Sequence, residues 1–107
     1  MNFSNFSKMA IEFTVNNSQE FHDMIDNKDF RISKAIVETI LSNVNSKKKN
    51  VHILSVTCLE EDSTFDITLE RKHFAQTLQE NLQYYIEREL YEDCVKINEC
   101  ISKLNQK

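Results

Sequence analysis

Six side chains of this sequence could ligate a metal or attack a substrate: His22, His52, His73, Cys58, Cys94 and Cys100. Structural zinc sites draw their ligands from closely spaced pairs. This chain has no C-x-x-C and no pair of histidines one helical turn apart. Cys94 and Cys100 are six residues apart, which places them roughly 240° apart around a helix. His52 and Cys58 share parity on one strand but are separated along it by roughly 20 Å. A cysteine nucleophile needs a base within hydrogen-bond reach, and nothing local places His52 or His73 beside Cys58. All three cysteines therefore read as small, buried, apolar side chains. Their odd number argues against a purely intramolecular disulfide framework. Glu60, Glu61 and Asp62 gather three carboxylates, the donor type that binds hard cations where ligands converge. Without a glycine to bend the loop they read as a solvated acidic turn. The expectation is a non-enzyme with no catalytic residue, no metal site and no cofactor.

The 107 residues contain no glycine and no proline. That removes the glycine-rich phosphate cradle, the dinucleotide fingerprint and the G-x-S-x-G nucleophile elbow. Turns must be built from Asn, Asp and Ser, which tolerate left-handed backbone better than most residues. The abundance of Asn, Lys and Ile is of the kind associated with AT-rich genomes, such as those of bacteriophages and low-GC bacteria.

Charge narrows the partners. The net charge is −4, with seven Lys and Arg against six Asp and Glu over residues 1–50, and six against eleven thereafter. An acidic C-terminal half repels a phosphate backbone, so nucleic acid is disfavoured. Lys47-Lys48-Lys49 is the only basic cluster and reads as a solvated loop. No apolar run approaches the roughly 20 residues that span a bilayer. The first ten residues lack the apolar stretch of a signal peptide, so a cytoplasmic location is expected.

The elements that would position these groups follow from periodicity. Residues 1–9, with Phe3 and Phe6, read as a loose arm. Ile11, Phe13 and Val15 alternate as a half-buried strand near 10–15. Ser18 is the candidate N-cap of a short helix through Phe21, Met24 and Ile25. Asp29 can cap a second helix over 30–45, whose wide apolar stripe (Ile32, Ala35, Ile36, Val37, Ile40, Leu41, Val44) should pack on a sheet. Residues 51–59 are β-branched and apolar, and 64–69 alternate, so the two runs form an antiparallel hairpin. From Glu70 onward the pattern is helical. Phe74, Leu78, Leu82 and Tyr85 make one stripe, and Leu90, Cys94, Ile97, Ile101 and Leu104 make another, five residues out of step. Either a C-terminal helical hairpin or one long helix satisfies this spacing. Tyr84, Tyr85 and Tyr91 cluster near the proposed turn, where they fit either an interface or packed core. The reading is a single α+β domain over 1–107: an α/β part over 1–69, with a small antiparallel sheet and packed helices, and a helical part over 70–107.

Residues 82–104, L-Q-Y-Y-I-E-R-E-L-Y-E-D-C-V-K-I-N-E-C-I-S-K-L, resemble the UVR motif. That motif is a short helical hairpin of the UvrB and UvrC excision-repair proteins and of some protease-adaptor and kinase-activator proteins. Leu90 fits its turn leucine, Tyr91-Glu92 its aromatic-Glu pair, and Cys94-Val95 its two small residues, while Ile97, Ile101 and Leu104 fit its apolar seam. Asn98-Glu99 stands where the family has Arg-Asp, so the positive charge is missing. Tyr85-Ile86 is bulkier than usual in the first helix. Residues 1–69 fall outside the resemblance. It implies a protein contact made through the hairpin, by Tyr91, Cys94, Ile97, Asn98, Glu99, Ile101 and Leu104.

With no substrate site in view, the expected function is a small intracellular protein-interaction module or regulatory adaptor that binds a protein partner or forms a homodimer. The alternative is a structural or accessory protein of a phage particle or other assembly.

Overall fold

A computed structural model describes residues 11–106. The arm expected over residues 1–9, with Phe3 and Phe6, and position 10 of the expected first strand lie outside the described residues. The chain runs β1 (Glu12–Val15), α1 (Ser18–Asp26), α2 (Phe30–Asn43), β2 (Asn50–Cys58), β3 (Ser63–Glu70), a 3-10 turn (Arg71–His73), α3 (Phe74–Glu87) and α4 (Tyr91–Leu104). The three strands form one sheet in the order β1-β2-β3. The fold class is α+β, as the periodicity indicates, and the C-terminal part is a hairpin of two helices.

The sheet is mixed rather than wholly antiparallel. β2 and β3 pair antiparallel across a tight turn, but β1 pairs parallel with β2, Glu12 opposite Ser55 through Val15 opposite Cys58. The two helices between β1 and β2 supply the long crossover that a parallel neighbour requires and an antiparallel one does not. A register shift between His52 and Leu54 marks a β-bulge at Ile53. The bulge lets Val51, Ile53, Leu54, Val56 and Cys58 all lie buried. It also overturns the shared parity of His52 and Cys58: Cys58 is in the core, and His52 lies on the opposite, open face with Ser55.

The starts of α1 and α2 are set by side-chain caps. α1 is capped one residue earlier than expected, by Asn17, whose Oδ1 accepts from Glu20 N at 2.9 Å; Glu20 Oε1 in return accepts from Asn16 N at 2.8 Å. Ser18 is the first helical residue and donates to Glu61 instead. Asp29 caps α2 as expected, accepting from Arg31 N, and receives the Arg31 guanidinium as well. That ion pair and its hydrogen bond hold the Asp29 carboxyl below its ordinary value.

Helix ends are made without glycine. α1 closes with Asp29 N donating to Met24 O and Lys28 N donating to Ile25 O, and α3 closes with Leu90 N donating to Tyr85 O and Glu89 N donating to Ile86 O. Both are Schellman closures. Each needs a left-handed residue, filled by Lys28 (φ 56°) and Glu89 (φ 58°). Asp62 (φ 49°) does the same in the β2–β3 turn.

The C-terminus of α2 is closed by a single side chain. The Arg71 guanidinium donates to Asn43 O and Ser46 O at 2.6 Å each, to Lys48 O at 2.8 Å and to Val44 O at 3.3 Å. Its plane lies 5.0 Å from the centre of the buried Phe74 ring. A cation at the negative end of a helix, bonded to carbonyls at and beyond its last turn, is favourable on both counts. Lysine has one compact ammonium in place of the planar fork and cannot reach this set. Arg71→Lys is therefore expected to lose about 2 kcal/mol of stability, measured by urea unfolding, with Arg71→Ala losing at least as much.

Candidate interaction surface

The hairpin turn fixes everything beyond it. Arg88, Glu89 and Leu90 connect α3 to α4, and Leu90 O then accepts from Cys94 N to start α4. α4 has no side-chain N-cap, but Glu92 and Asp93 lie in its first turn, where carboxylates complement the helix dipole. The turn is tied to α2 by a stack of rings and charge. Phe30 meets Tyr85 edge-on at 4.9 Å, and Arg88 lies 4.3 Å over Phe30. A groove of about 370 Å³ opens there, floored by Phe30, Val37, Leu41, Tyr85 and Leu90 and rimmed by Lys34, Glu38 and Asp93. Deeper between α2 and α3, Ser33 Oγ donates to Asn81 Oδ1 at 2.7 Å, and Asn81 Nδ2 donates to Thr77 O. This buried polar pair fixes how α3 is seated on α2, since a slipped arrangement would leave both groups unpaired.

The residues expected to make the partner contact divide into three groups. Cys94 and Ile97 are buried, Ile97 to 0% exposure, beneath α3. They are core residues of this chain and cannot serve as anchors for another, which corrects that part of the expectation. Ile101 and Leu104 are half-buried against the same cluster. Tyr91, Asn98 and Glu99 are exposed. The seam thus has its cover within the chain, and its apolar spacing does not call for a second copy to bury it.

Of the expected set, α4 presents only Tyr91, Asn98 and Glu99 outward, and it adds Val95. Tyr91 is 61% exposed and Val95 55%. Tyr91, Val95, Asn98 and Ser102 follow at four, three and four residues, and so fall within about 60° of one another around the helix. Val95 was missed because its partner at position 94 is buried, and the resemblance treats the two as one small-residue pair. Cys100, expected to lie off the seam, is buried with it. The buried arc of α4 is simply wider than a two-residue heptad stripe, as is common where a helix packs on two neighbours.

The other candidate groups do not assemble a reactive centre. All three cysteines are free and buried. Burial pushes the Cys58 and Cys100 thiols up from their ordinary values, Cys58 further because Glu61 is near, which keeps them in the unreactive thiol form. Among the described residues, no three His, Cys, Asp or Glu side chains come together as a metal-binding group. On the open face of the sheet, Ser55 Oγ donates to Asp66 Oδ1 at 2.7 Å and lies 3.0 Å from His52 Nε2. This trio was not foreseen. It has the composition of a hydrolase triad but not its order: a triad base uses one ring nitrogen for the serine and the other for the carboxylate. Here Nε2 faces both, at 3.0 and 3.5 Å, and the serine hydroxyl donates to the carboxylate rather than to the ring.

No protein-family model matches the chain, and no curated protein or solved structure is significantly similar to it. Among the described residues no helix is long and apolar enough to cross a membrane.

Two outcomes follow from the turn. Glu89→Gly relieves a left-handed residue that carries a side chain, and should add about 1 kcal/mol, seen as a rise of several degrees in Tm. The second concerns Tyr85, whose phenol is pushed up to about 12, first by burial and then by the charges of Glu38 and Asp93. Its folded value lies above the unfolded value of about 10. Proton retention therefore stabilises the fold fully below about pH 10, and that contribution is lost as the pH rises toward 12. Unfolding free energies of wild type and Tyr85→Phe, compared across this window, should show the wild type losing stability relative to the variant as the pH rises, because the variant lacks the titrating group.

Proposed function

We propose that this protein is a small protein-interaction module that docks through the outward face of α4. The observation that carries the reading is the exposure of Tyr91 and Val95 on successive turns of a helix whose opposite side packs into the core through Cys94, Ile97 and Cys100. Two large apolar side chains at four-residue spacing form the anchor pattern of a helix that enters a partner's groove. Tyr supplies rigid contact area with a polar tip, and the neighbouring Asn98 and Glu99 can set specificity by hydrogen bonding and charge. The resemblance of residues 82–104 to the UVR motif supports the same use of the hairpin. In that alignment the contact shifts from the seam to its solvent side. The fold contributes rigidity, because the inner seam, the Tyr85–Phe30–Arg88 stack and the Ser33–Asn81 pair hold α4 on α2 and α3.

Surface variants separate docking from folding. Cutting the chain before α3 would remove Phe74, Leu78 and Ile97 from the core and abolish both. Tyr91→Ala with Val95→Asp should leave Tm within a degree or two, since exposed positions contribute little to stability. A photo-crosslinking residue at Ser102 should capture a discrete partner from host extract in the wild-type background and lose it in the double variant. Glu99→Lys should weaken capture without changing Tm. Undiminished capture by the double variant would place the docking surface elsewhere on the molecule.

A further inference from the structure

Sheet edges present unpaired backbone groups, and proteins blunt the ones they leave open. The two edges here are treated differently. β1 has four residues, and Arg31 lies over its Phe13 at 5.8 Å. β3 has eight residues, Ser63 to Glu70, with no lysine and no proline, and the sheet's bulge lies in β2 rather than in β3. No element flanks the outer side of β3 among the described residues. Arg71 N donates to Lys49 O, toward β2. By the alternation of antiparallel strands, the odd-numbered residues of β3 also turn their backbone groups to β2, and Thr64, Asp66, Thr68 and Glu70 turn theirs outward.

We infer that β3 pairs antiparallel with β3 of a second copy of this chain, joining two three-stranded sheets into one. The side chains select both the occupant and the register. Phe65, Ile67 and Leu69 lie on the helix side. Phe65 meets Phe21 edge-on at 5.9 Å, and Ile67 and Leu69 pack against the core. Thr64, Asp66, Thr68 and Glu70 lie on the open face. Faces match only when odd residues meet odd and even meet even. A two-fold axis at Asp66 sets that carboxylate against its own copy, and an axis at Thr68 sets Asp66 against Glu70. An axis at Phe65 leaves Leu69 opposite Glu61. An axis at Ile67 avoids all three conflicts. Ile67 then meets Ile67, Phe65 meets Leu69, Asp66 meets Thr68 and Thr64 meets Glu70. The outward-facing backbone groups fall opposite one another, and Phe65, 38% exposed in the single chain, gains a cover. This contact makes no use of α4 and is independent of the docking proposed above.

The test is sedimentation equilibrium of the full chain at concentrations up to about 100 μM, where a weak strand-mediated dimer is populated. The wild type should dimerise. Thr68→Pro should be monomeric with an unchanged Tm, because a proline whose missing N–H faces outward costs the single chain no ladder bond. Thr68→Glu sets a carboxylate opposite Asp66 of the second copy and should weaken the dimer about tenfold, and Thr68→Lys should tighten it by a similar factor. If Thr68→Pro perturbs folding, the opposite response to the two charged variants still decides the matter. A wild type that stays monomeric overturns the inference, and so does a dimer indifferent to all three variants. Exchange-protected amides at Thr64, Asp66 and Thr68 in a strict monomer also overturn it, because another part of the same chain would then cover the edge.

Discussion

The guanidinium of Arg71 is the constraint on which the rest of the structure depends. It lies between the sheet and the helical hairpin in sequence. In space it gathers the carbonyls of Asn43, Val44, Ser46 and Lys48, while its own backbone N–H extends the β2–β3 ladder to Lys49. One side chain thus ends α2, shapes the 44–49 connection, starts β2 opposite β3 and covers Phe74 at the head of α3. The Lys47–Lys49 cluster, solvated by its side chains, owes its backbone course to this arginine. Because α2 is held at its far end, its apolar stripe is presented to the sheet and to α3 together. The Ser33–Asn81 bond and the Arg88–Phe30–Tyr85 stack can then form along its length.

The absence of glycine is the second constraint, and the fold meets it locally. Three turns need left-handed backbone, and Lys28, Asp62 and Glu89 provide it at a cost of about 1–2 kcal/mol each for a residue with a side chain, least for Asp. Two of these turns close helices with paired hydrogen bonds that offset the strain. The hairpin turn at Glu89 matters most for the proposed function. It reverses the chain within three residues and so seats the inner side of α4 on α3, leaving Tyr91 and Val95 facing out.

Much of the fold was legible in the sequence because periodicity reports burial directly. The alternation of Phe65, Ile67 and Leu69, the wide stripe of α2 and the Asp29 cap all stand where the pattern puts them. What was not legible is what depends on pairing across space. Nothing in residues 11–15 says that β1 runs parallel to β2. That follows from where two helices place its end, and a strand with one buried face looks the same in either direction. The bulge at Ile53 shows in V-H-I-L-S-V only as two adjacent apolar residues between His52 and Ser55, and a mostly apolar strand absorbs that break in alternation. Arg71 looked like one more charge after Glu70, with no local sign that the end of α2 would arrive beside it. For the candidate surface, the residue pattern put the contact on the seam of α4, which is the side that the structure buries. A four-three seam shows that a face is buried without saying by what, and here α3 covers it, which leaves Tyr91 and Val95 for a partner.

The sheet part and the helical hairpin form one cooperative unit, joined through Arg71, in which α4 is held on α3. Native-state hydrogen exchange of the wild-type chain tests this most directly, because it reads the opening free energy of each element separately. Amides in the middle of β2, α2, α3 and α4 should exchange only through global unfolding, with one shared free energy and one shared dependence on denaturant. A separate, lower-energy opening confined to residues 74–104, with β2 still protected, would contradict it.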